Sequence, residues 1–168
     1  LDSLTFAFLG GGNMASALIG GLVARGVPAG AIRVVDPSED ARQRLARTGV
    51  HALAAPDAAF GASDVIVLAV KPQQFRDAIA SLAPLLTDNL IISVAAGIRL
   101  QDMARWVGRS RLVRAMPNTP ALAGTGMTGL AAAPGLSAAD RDIATAVAQA
   151  VGQCVWVEND DQIDAVTA

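Results

Sequence analysis

Short apolar runs alternate with segments of helical periodicity along the whole chain. The apolar runs predict strands at Leu4–Leu9, Ile32–Val35, His51–Leu53, Val65–Val70, Leu90–Ala95, Arg111–Met116, Gly126–Ala131 and Cys154–Val157. Apolar residues at helical spacing predict helices at Met14–Arg25, Glu39–Thr48, Pro56–Phe60, Gln74–Ala83, Leu100–Val107 and Ala138–Val151. Strands that alternate with helices in this way are typical of βαβ units and a parallel sheet.

Two of the strand candidates, VIVLAV from Val65 and LIISVAA from Leu90, are almost continuously apolar. Such runs are typical of strands that are covered on both faces. Crossovers between parallel strands are right-handed. Together with a glycine-rich turn after the first strand, these features predict an α/β, Rossmann-like, doubly wound and mostly parallel sheet of about eight strands. We expect helices on both faces and a strand order that begins 3-2-1-4-5-6.

The glycine-rich turn is the strongest candidate for chemistry. Gly10, Gly12 and Ala15 fit the pattern G-x-G-x-x-A between a strand and a helix. In this pattern the first glycine allows a sharp turn, the second lets a pyrophosphate approach the backbone, and the small third residue lets the helix pack on its strand. The free N–H groups of the helix N-terminus then favour a phosphate. The pattern predicts a dinucleotide cofactor; the alternative is an ordinary structural turn.

Composition narrows the class of protein. The chain has 168 residues, of which 52% are hydrophobic and 17% charged, with a net charge of −2. This apolar content indicates a sheet buried on both faces or a surface for a missing partner. Lys and Arg are scattered, so we expect no nucleic-acid partner, and the apolar runs are too short for a membrane span. No Cys/His cluster predicts a metal site. The single cysteine, Cys154, is interpreted as a packed residue and fits a reducing, cytoplasmic location.

The end of the second strand bears on the choice of cofactor. Asp36 lies about 20 residues after the fingerprint, where an acidic residue binds the ribose hydroxyls of NAD. Its charge would repel the 2′-phosphate of NADP unless the side chain turns away. Ser38 and Arg42 could then donate to the phosphate, with Arg33 nearby. The alternative for Asp36 is a turn former before Pro37, and the choice between NAD and NADP stays open.

Three further loops follow predicted strands. Lys71-Pro72 offers either a lysine or its backbone to the cofactor, and the backbone is favoured. The small residues Ala95, Ala96 and Gly97 suit either a close nicotinamide ring or tight packing. Asn118 and Thr119 lie between two prolines in a stiff loop that we expect to position substrate; the alternative is a plain turn.

The other ionisable residues are weaker candidates for a functional role. His51, the only histidine, lies in a short strand far from the expected chemistry. Aspartates on the late helices are interpreted as solvated: Asp140, Asp142, Asp160, Asp161 and Asp164.

The motifs FLGGGNMA, VIVLAVKPQ, SVAAGI and RAMPNTPALAGTGMTGL together resemble the pyrroline-5-carboxylate reductase family. The resemblance implies hydride transfer from NAD(P)H to the imine carbon of 1-pyrroline-5-carboxylate, giving L-proline. It implies NADPH as the usual cofactor, with NADH possible, and no catalytic acid in this chain. Asp36 departs from the Ser, Thr or Asn-Arg often found there, and Pro56 and Asp57 stand where an Asn is frequent. By analogy, the cofactor contacts map onto Leu9, Gly10, Gly11, Gly12, Asn13, Met14, Asp36, Pro37, Ser38, Ala69, Val70, Lys71, Pro72, Val94, Ala95 and Ala96.

Family members continue beyond this length as a helical domain that interlocks subunits and completes the substrate pocket. We therefore expect a cofactor domain at residues 1–158, and the start of a linker helix at residues 159–168. We expect dimers or higher homo-oligomers to form through the missing domain, and the fragment alone to have little turnover. Two rival hypotheses remain: another two-domain reductase, such as a β-hydroxyacid dehydrogenase, and a non-catalytic dinucleotide sensor.

Overall fold

A computed structural model describes residues 1–167; Ala168, the last residue of the predicted linker segment, lies outside the described residues. The described strands are β1 Phe6–Leu9, β2 Ile32–Val35, β3 His51–Leu53, β4 Val65–Leu68, β5 Leu90–Ser93, β6 Leu112–Pro117, β7 Gly126–Ala132 and β8 Gly152–Trp156. The α-helices are α1 Asn13–Ala24, α2 Glu39–Ala46, α3 Ala58–Gly61, α4 Phe75–Leu82, α5 Leu100–Val107, α6 Ala138–Ala148 and α7 Asp160–Thr167.

The strands form one eight-stranded sheet in the order β3-β2-β1-β4-β5-β6-β7-β8. Neighbouring strands are parallel except for β6 and β7, which pair antiparallel. The predicted order 3-2-1-4-5-6 and the mostly parallel, Rossmann-like sheet are therefore confirmed. The strand order reverses between β1 and β4, and this switch point is where ligands bind in doubly wound sheets.

Successive residues of the central strands point to opposite faces of the sheet, and both faces are buried. Phe6 and Phe8 pack with α1 and α6 on one face. Ala7 and Leu9 pack with α4 and α5 on the other. The high apolar content therefore corresponds to two buried layers, one on each face of the sheet, between the strands and the helices that cover them.

Several predicted boundaries are too long at the sheet's carboxyl edge. β4 ends at Leu68 rather than Val70, and β5 ends at Ser93 rather than Ala95. The last ladder bonds run from Ala69 N to Leu9 O (2.8 Å) and from Val94 N to Leu68 O (3.0 Å). Beyond these bonds the chain leaves the sheet, so the apolar residues that follow belong to loops.

Helix α7 covers the part of the sheet formed by β6 and β7. Ile163 is buried, and its side chain lies over Gly129. Asp160 at the start of the helix accepts from Leu100 N (2.9 Å) and pairs with Arg114 (3.0 Å). These contacts fasten α7 to β6 and to the N-terminus of α5.

The prediction that the late aspartates are solvated is wrong for two of them. Asp140 is 5% exposed and binds Arg111 through both oxygens, and Asp160 is held by Arg114. Asp142 and Asp161 are exposed as expected. The prediction for the Asp164 side chain lies outside the described residues.

Candidate functional site

The carboxyl ends of β1, β4 and β5 bring three loops side by side, because these strands are neighbours in the sheet. The first loop, Gly10–Gly12, continues from β1 and is fixed to β2 by the bond from Gly10 N to Val35 O (2.8 Å). The loops Ala69–Pro72 and Val94–Gly97 follow β4 and β5. The structure thus brings together predicted cofactor residues that lie on separate segments of the sequence.

Gly10 makes the sharp turn out of β1. Its φ is +101°, and a Cβ at this position would lie 2.6 Å from the carbonyl oxygen of Ala69. Both the positive φ and the contact with Ala69 exclude a larger residue. The first loop and the loop after β4 therefore touch through backbone atoms.

Gly12 begins α1 and leaves its N-terminus open. The residue is exposed and extended (φ −70°, ψ −171°), and among residues 1–167 no side chain caps the helix. The first helical bond runs from Ser16 N to Gly12 O (2.9 Å), so the N–H groups before it are available to a ligand. Within the described residues, a Cβ on Gly12 would have no heavy atom within 4 Å. An open, uncapped helix N-terminus fits the diphosphate of a dinucleotide.

The peptide of Gly11 is held from both sides. Its N–H donates to Oδ2 of Asp36 (2.8 Å), and its carbonyl accepts from the guanidinium of Arg44 (3.0 Å). Both partners belong to the segment from the end of β2 through α2. Sequence reasoning missed Arg44, because one exposed arginine among several on α2 carries no distinguishing pattern.

The carboxylate of Asp36 is engaged by the backbone. Besides Gly11, Ser38 N donates to its Oδ1 (2.8 Å), which makes the corner before α2. Arg42 donates to the carbonyls of Asp36 (2.9 Å) and Pro37 (2.8 Å), and Ser38 caps α2. The turn-forming alternative for Asp36 therefore describes its observed contacts, and Arg42 is directed at backbone carbonyls.

The two loops that follow β4 and β5 are short and lie near the protein surface. Ala69 and Val70 are half-buried, whereas Lys71 and Pro72 are exposed at the start of a 3-10 turn. Val94 is half-buried, Ala95 is buried and bonded to Ser93 Oγ (3.3 Å), and Ala96 is exposed. These loops offer backbone and small side chains next to the first loop.

Asn118 closes the connection between β6 and β7. Its N–H donates to Met127 O (3.1 Å), and its Oδ1 accepts from Met127 N (2.9 Å). Thr119 is exposed and begins a 3-10 turn. Asn118 also borders a recess of about 680 Å³ that is shared with Arg25, Gln149 and Gln153. No predicted cofactor residue lines this recess.

The remaining candidates lie apart from these loops. His51 is exposed on the edge strand β3. Cys154 is half-buried on β8, and burial raises the pKa of its thiol. Over residues 1–167, none of the helices is long and apolar enough to cross a membrane.

The sheet order, the glycine turn and the open N-terminus of α1 define a Rossmann-like domain of the dinucleotide-binding oxidoreductase class. Residues 5–97 match the model of one family in this class, and the chain belongs to that family, described as NADP oxidoreductase, coenzyme F420-dependent. The cofactor predicted from the motifs, NADPH or NADP, agrees with this family.

The chain is also similar to pyrroline-5-carboxylate reductases over nearly its whole length, which confirms the resemblance seen in the motifs. It is 45% identical to the enzyme of Pseudomonas aeruginosa, over 96% of this chain and 60% of that protein. Among solved structures it matches the Coxiella burnetii enzyme with a TM-score of 0.90 and 35% identity, covering 96% and 62% of the two chains. A Plasmodium falciparum pyrroline carboxylate reductase with NADP bound matches with a TM-score of 0.83 at 23% identity, covering 96% and 60%, and shows the shared fold. The chain thus spans about 60% of the length of these relatives.

Proposed function

We propose that this chain is the cofactor-binding part of a reductase that converts 1-pyrroline-5-carboxylate to L-proline at the expense of NADPH. The observation that carries the proposal is the open space over Gly12 at the uncapped N-terminus of α1. It lies at the switch point of the sheet, where a doubly wound domain binds a dinucleotide. The similarity to pyrroline-5-carboxylate reductases supplies the reaction.

In this proposal, four segments at the carboxyl edge of the sheet hold the cofactor: the first loop with the start of α1, the corner after β2, and the loops after β4 and β5. The N–H groups at the start of α1 bind the diphosphate, the corner after β2 lies at the adenosine end, and the loop after β5 lies at the nicotinamide end. Small residues in that last loop, Ala95 and Ala96, let a ring lie close to the backbone. The full set of proposed contacts is Leu9, Gly10, Gly11, Gly12, Asn13, Met14, Asp36, Pro37, Ser38, Ala69, Val70, Lys71, Pro72, Val94, Ala95 and Ala96.

NADPH supplies the hydride when it is bound, and the protein's work is mainly positioning. A protonated cyclic imine already accepts a hydride, so the reaction needs no acid or base from this chain. Holding donor and acceptor in a near-attack geometry and excluding water lower the barrier. We assign Asn118 and Thr119 to substrate positioning, since the stiff loop that they begin follows β6 at the same edge of the sheet as the cofactor loops.

The proposal extends to the whole protein. Residues 159–168 begin a linker helix, and a helical domain beyond it completes the substrate pocket and forms a homodimer or higher oligomer. The described helix Asp160–Thr167 supports this division. NADH serves as an alternative donor. The location is cytoplasmic, which fits the single cysteine and a biosynthetic role.

The test of cofactor binding uses Gly12→Val. A Cβ at Gly12 has no heavy atom within 4 Å among the described residues, so we expect the melting temperature to stay within a few degrees of the wild type. Calorimetry should show NADPH binding to the wild type and at least about a hundredfold weaker binding to the variant, because the side chain fills the place of the diphosphate.

Gly20→Ala is the matched control, because Gly20 also has open space for a Cβ but lies on the outer surface of α1. It should bind NADPH like the wild type. Binding of NADPH by Gly12→Val with wild-type affinity, or no binding by the wild type at millimolar concentration, would overturn the assignment.

The reaction is tested on the whole protein by following NADPH oxidation with 1-pyrroline-5-carboxylate and, separately, with short 3-oxo acids. Turnover with the cyclic imine alone supports the proposal. Turnover with the oxo acids would favour the β-hydroxyacid dehydrogenase alternative, and nucleotide binding without any turnover would favour the sensor.

A further inference from the structure

Arg44 is anchored beside the first loop. It lies on the second turn of α2, is exposed, and donates from one guanidinium nitrogen to the carbonyl of Gly11 (3.0 Å). Gly11 is the hydrogen-bond partner found for Arg44 among the described residues. A guanidinium has five N–H donors in a planar fork. One bond to the loop therefore fixes the position of the cation while leaving donors for a ligand at the mouth of the site.

The carboxylate of Asp36 is directed at the backbone of the two loops beside it. Each of its carboxylate oxygens already accepts a backbone N–H at 2.8 Å, one from Gly11 and one from Ser38. An aspartate that recognises the ribose hydroxyls of NAD directs its oxygens toward the ligand. Here the carboxylate joins the first loop to the corner after β2, and charge-assisted bonds of this type rigidify a loop.

Among the described residues, the other charged groups on α2 and at its end make no contact with the first loop like that of Arg44 with Gly11. Arg42 donates to the carbonyls of Asp36 and Pro37, and Arg47 lies at the end of the helix, a turn further from the loop. Glu39 and Asp40 are on the first turn, where Glu39 accepts from Gln43 (3.0 Å) and both favour the helix dipole. Arg44 is the cation of α2 that contacts the first loop.

We propose that Arg44 recognises the 2′-phosphate of NADPH and that Asp36 is a positioning residue for the first loop rather than a ribose ligand. This inference rests on the proposed function, because it requires the adenosine end of a dinucleotide to lie between the first loop and α2. An arginine near the ribose is the usual way to accommodate a 2′-phosphate in this fold class. The structure thus explains how a chain with Asp36 at this position belongs to an NADP-dependent family.

The first test separates the 2′-phosphate from the rest of the cofactor by using adenosine 2′,5′-bisphosphate and adenosine 5′-monophosphate as probes. Arg44→Met keeps an unbranched apolar stem and removes the guanidinium. It should weaken binding of the bisphosphate about tenfold to a hundredfold, the effect of one charge-assisted phosphate contact. Binding of the monophosphate should change less than about threefold. Arg47→Met, which removes the exposed arginine at the residue after the same helix, is the control and should change neither.

The second test concerns Asp36. Asp36→Ala removes the link between Gly11 and Ser38, so NADPH and NADH should weaken by the same factor and their ratio should stay constant. Asp36→Asn retains one acceptor oxygen and should recover part of the affinity for both. If Asp36 were a ribose ligand, loss of NADH binding alone would follow.

The outcomes are distinct from those of the cofactor test. If the wild type binds NADPH but Arg44→Met weakens bisphosphate and monophosphate equally, or neither, the role of Arg44 is refuted and the proposed function stands. A wild type that binds none of the four nucleotides refutes both.

Discussion

The three consecutive glycines of the first loop are explained by different contacts. At Gly10 a Cβ would meet the Ala69 carbonyl at 2.6 Å, and at Gly11 it would meet the Leu45 side chain at 2.6 Å. At Gly12 it would meet nothing within 4 Å among the described residues. The fold itself therefore requires a glycine at Gly10, where the contact is with backbone, whereas at Gly11 a Cβ would displace the end of the Leu45 side chain. The fold sets no such limit at Gly12, and we propose that a ligand approaching the backbone there accounts for the third glycine.

At the same scale, two aspartates link stability to pH. Hydrogen bonds from Arg111 lower the pKa of Asp140 below its ordinary value of 3.8, and bonds from the hydroxyl and N–H of Thr5 lower that of Asp64. A lowered folded-state pKa means that the unfolded chain binds protons first as the pH falls. Their contribution is therefore complete above about pH 4 and is lost as the pH falls through the lower folded-state values.

We predict that Asp140→Asn lowers the free energy of unfolding by about 1–3 kcal/mol at pH 7, because it removes the buried carboxylate that accepts from Arg111 through both oxygens and leaves Arg111 with the exposed Asp88 at 3.2 Å. The loss should shrink on acidification through the range below pH 4. Urea unfolding as a function of pH measures it, with Asp142→Asn, an exposed aspartate on the same helix, as the control. A penalty for Asp140→Asn that does not change with pH would contradict this assignment.

The site residues differ in how far the sequence reveals them. Gly10, Gly12 and Ala15 follow from spacing, because the turn geometry is local. Asp36 and Arg44 both bond to the peptide of Gly11. These contacts depend on how the first loop faces the segment from the end of β2 through α2, and no local pattern encodes that arrangement. The burial of Asp140 was missed for a related reason, since its partner Arg111 is 29 residues away in the sequence.

At the scale of the element, α7 is held against the sheet by the Asp160 carboxylate and by the buried Ile163. Eight residues are too few for an independent helix in water. The Asp160 carboxylate accepts from Leu100 N with one oxygen and from Arg114 with the other. The Arg114 side chain is only 4% exposed, so this ion pair is shielded from solvent.

We predict that Asp160→Ala destabilises the protein by about 1–3 kcal/mol, because it removes the charged acceptor of the Leu100 N–H and of the buried Arg114 side chain. Asp161→Ala is the matched control: its partner is Arg99, the two side chains are 63% and 74% exposed, and the expected loss is below about 1 kcal/mol. Urea unfolding measures both variants. Equal losses for the two would show that α7 is not fastened at Asp160.

The sequence predicts the strands and the first six α-helices well, and it predicts their ends less well. β2, β3 and α5 have the predicted bounds. The predicted ends of β4 and β5 run too far, because the apolar residues Val70 and Ala95 lie in loops. An apolar run indicates burial, and it does not distinguish a buried strand from a loop packed at the end of a sheet.

At the scale of the whole molecule, strand order determines the position of the site. The switch between β1 and β4 places the loops after β1, β4 and β5 side by side. Alternating strands and helices predicted this order, because crossovers between parallel strands have one hand. The direction of β7 was less accessible, since it depends on the Asn118–Met127 contact that closes the β6–β7 connection.

We propose that one molecule of NADPH spans the first loop and the loop after β5. Amide chemical shifts of the isotope-labelled protein, followed during an NADPH titration, show which loops the cofactor contacts. We expect the amides of Gly11–Met14 and of Val94–Ala96 to move together along one saturable binding curve. Shifts confined to the recess beside Arg25 and Asn118, or no shifts in Gly11–Met14 at saturation, would contradict it.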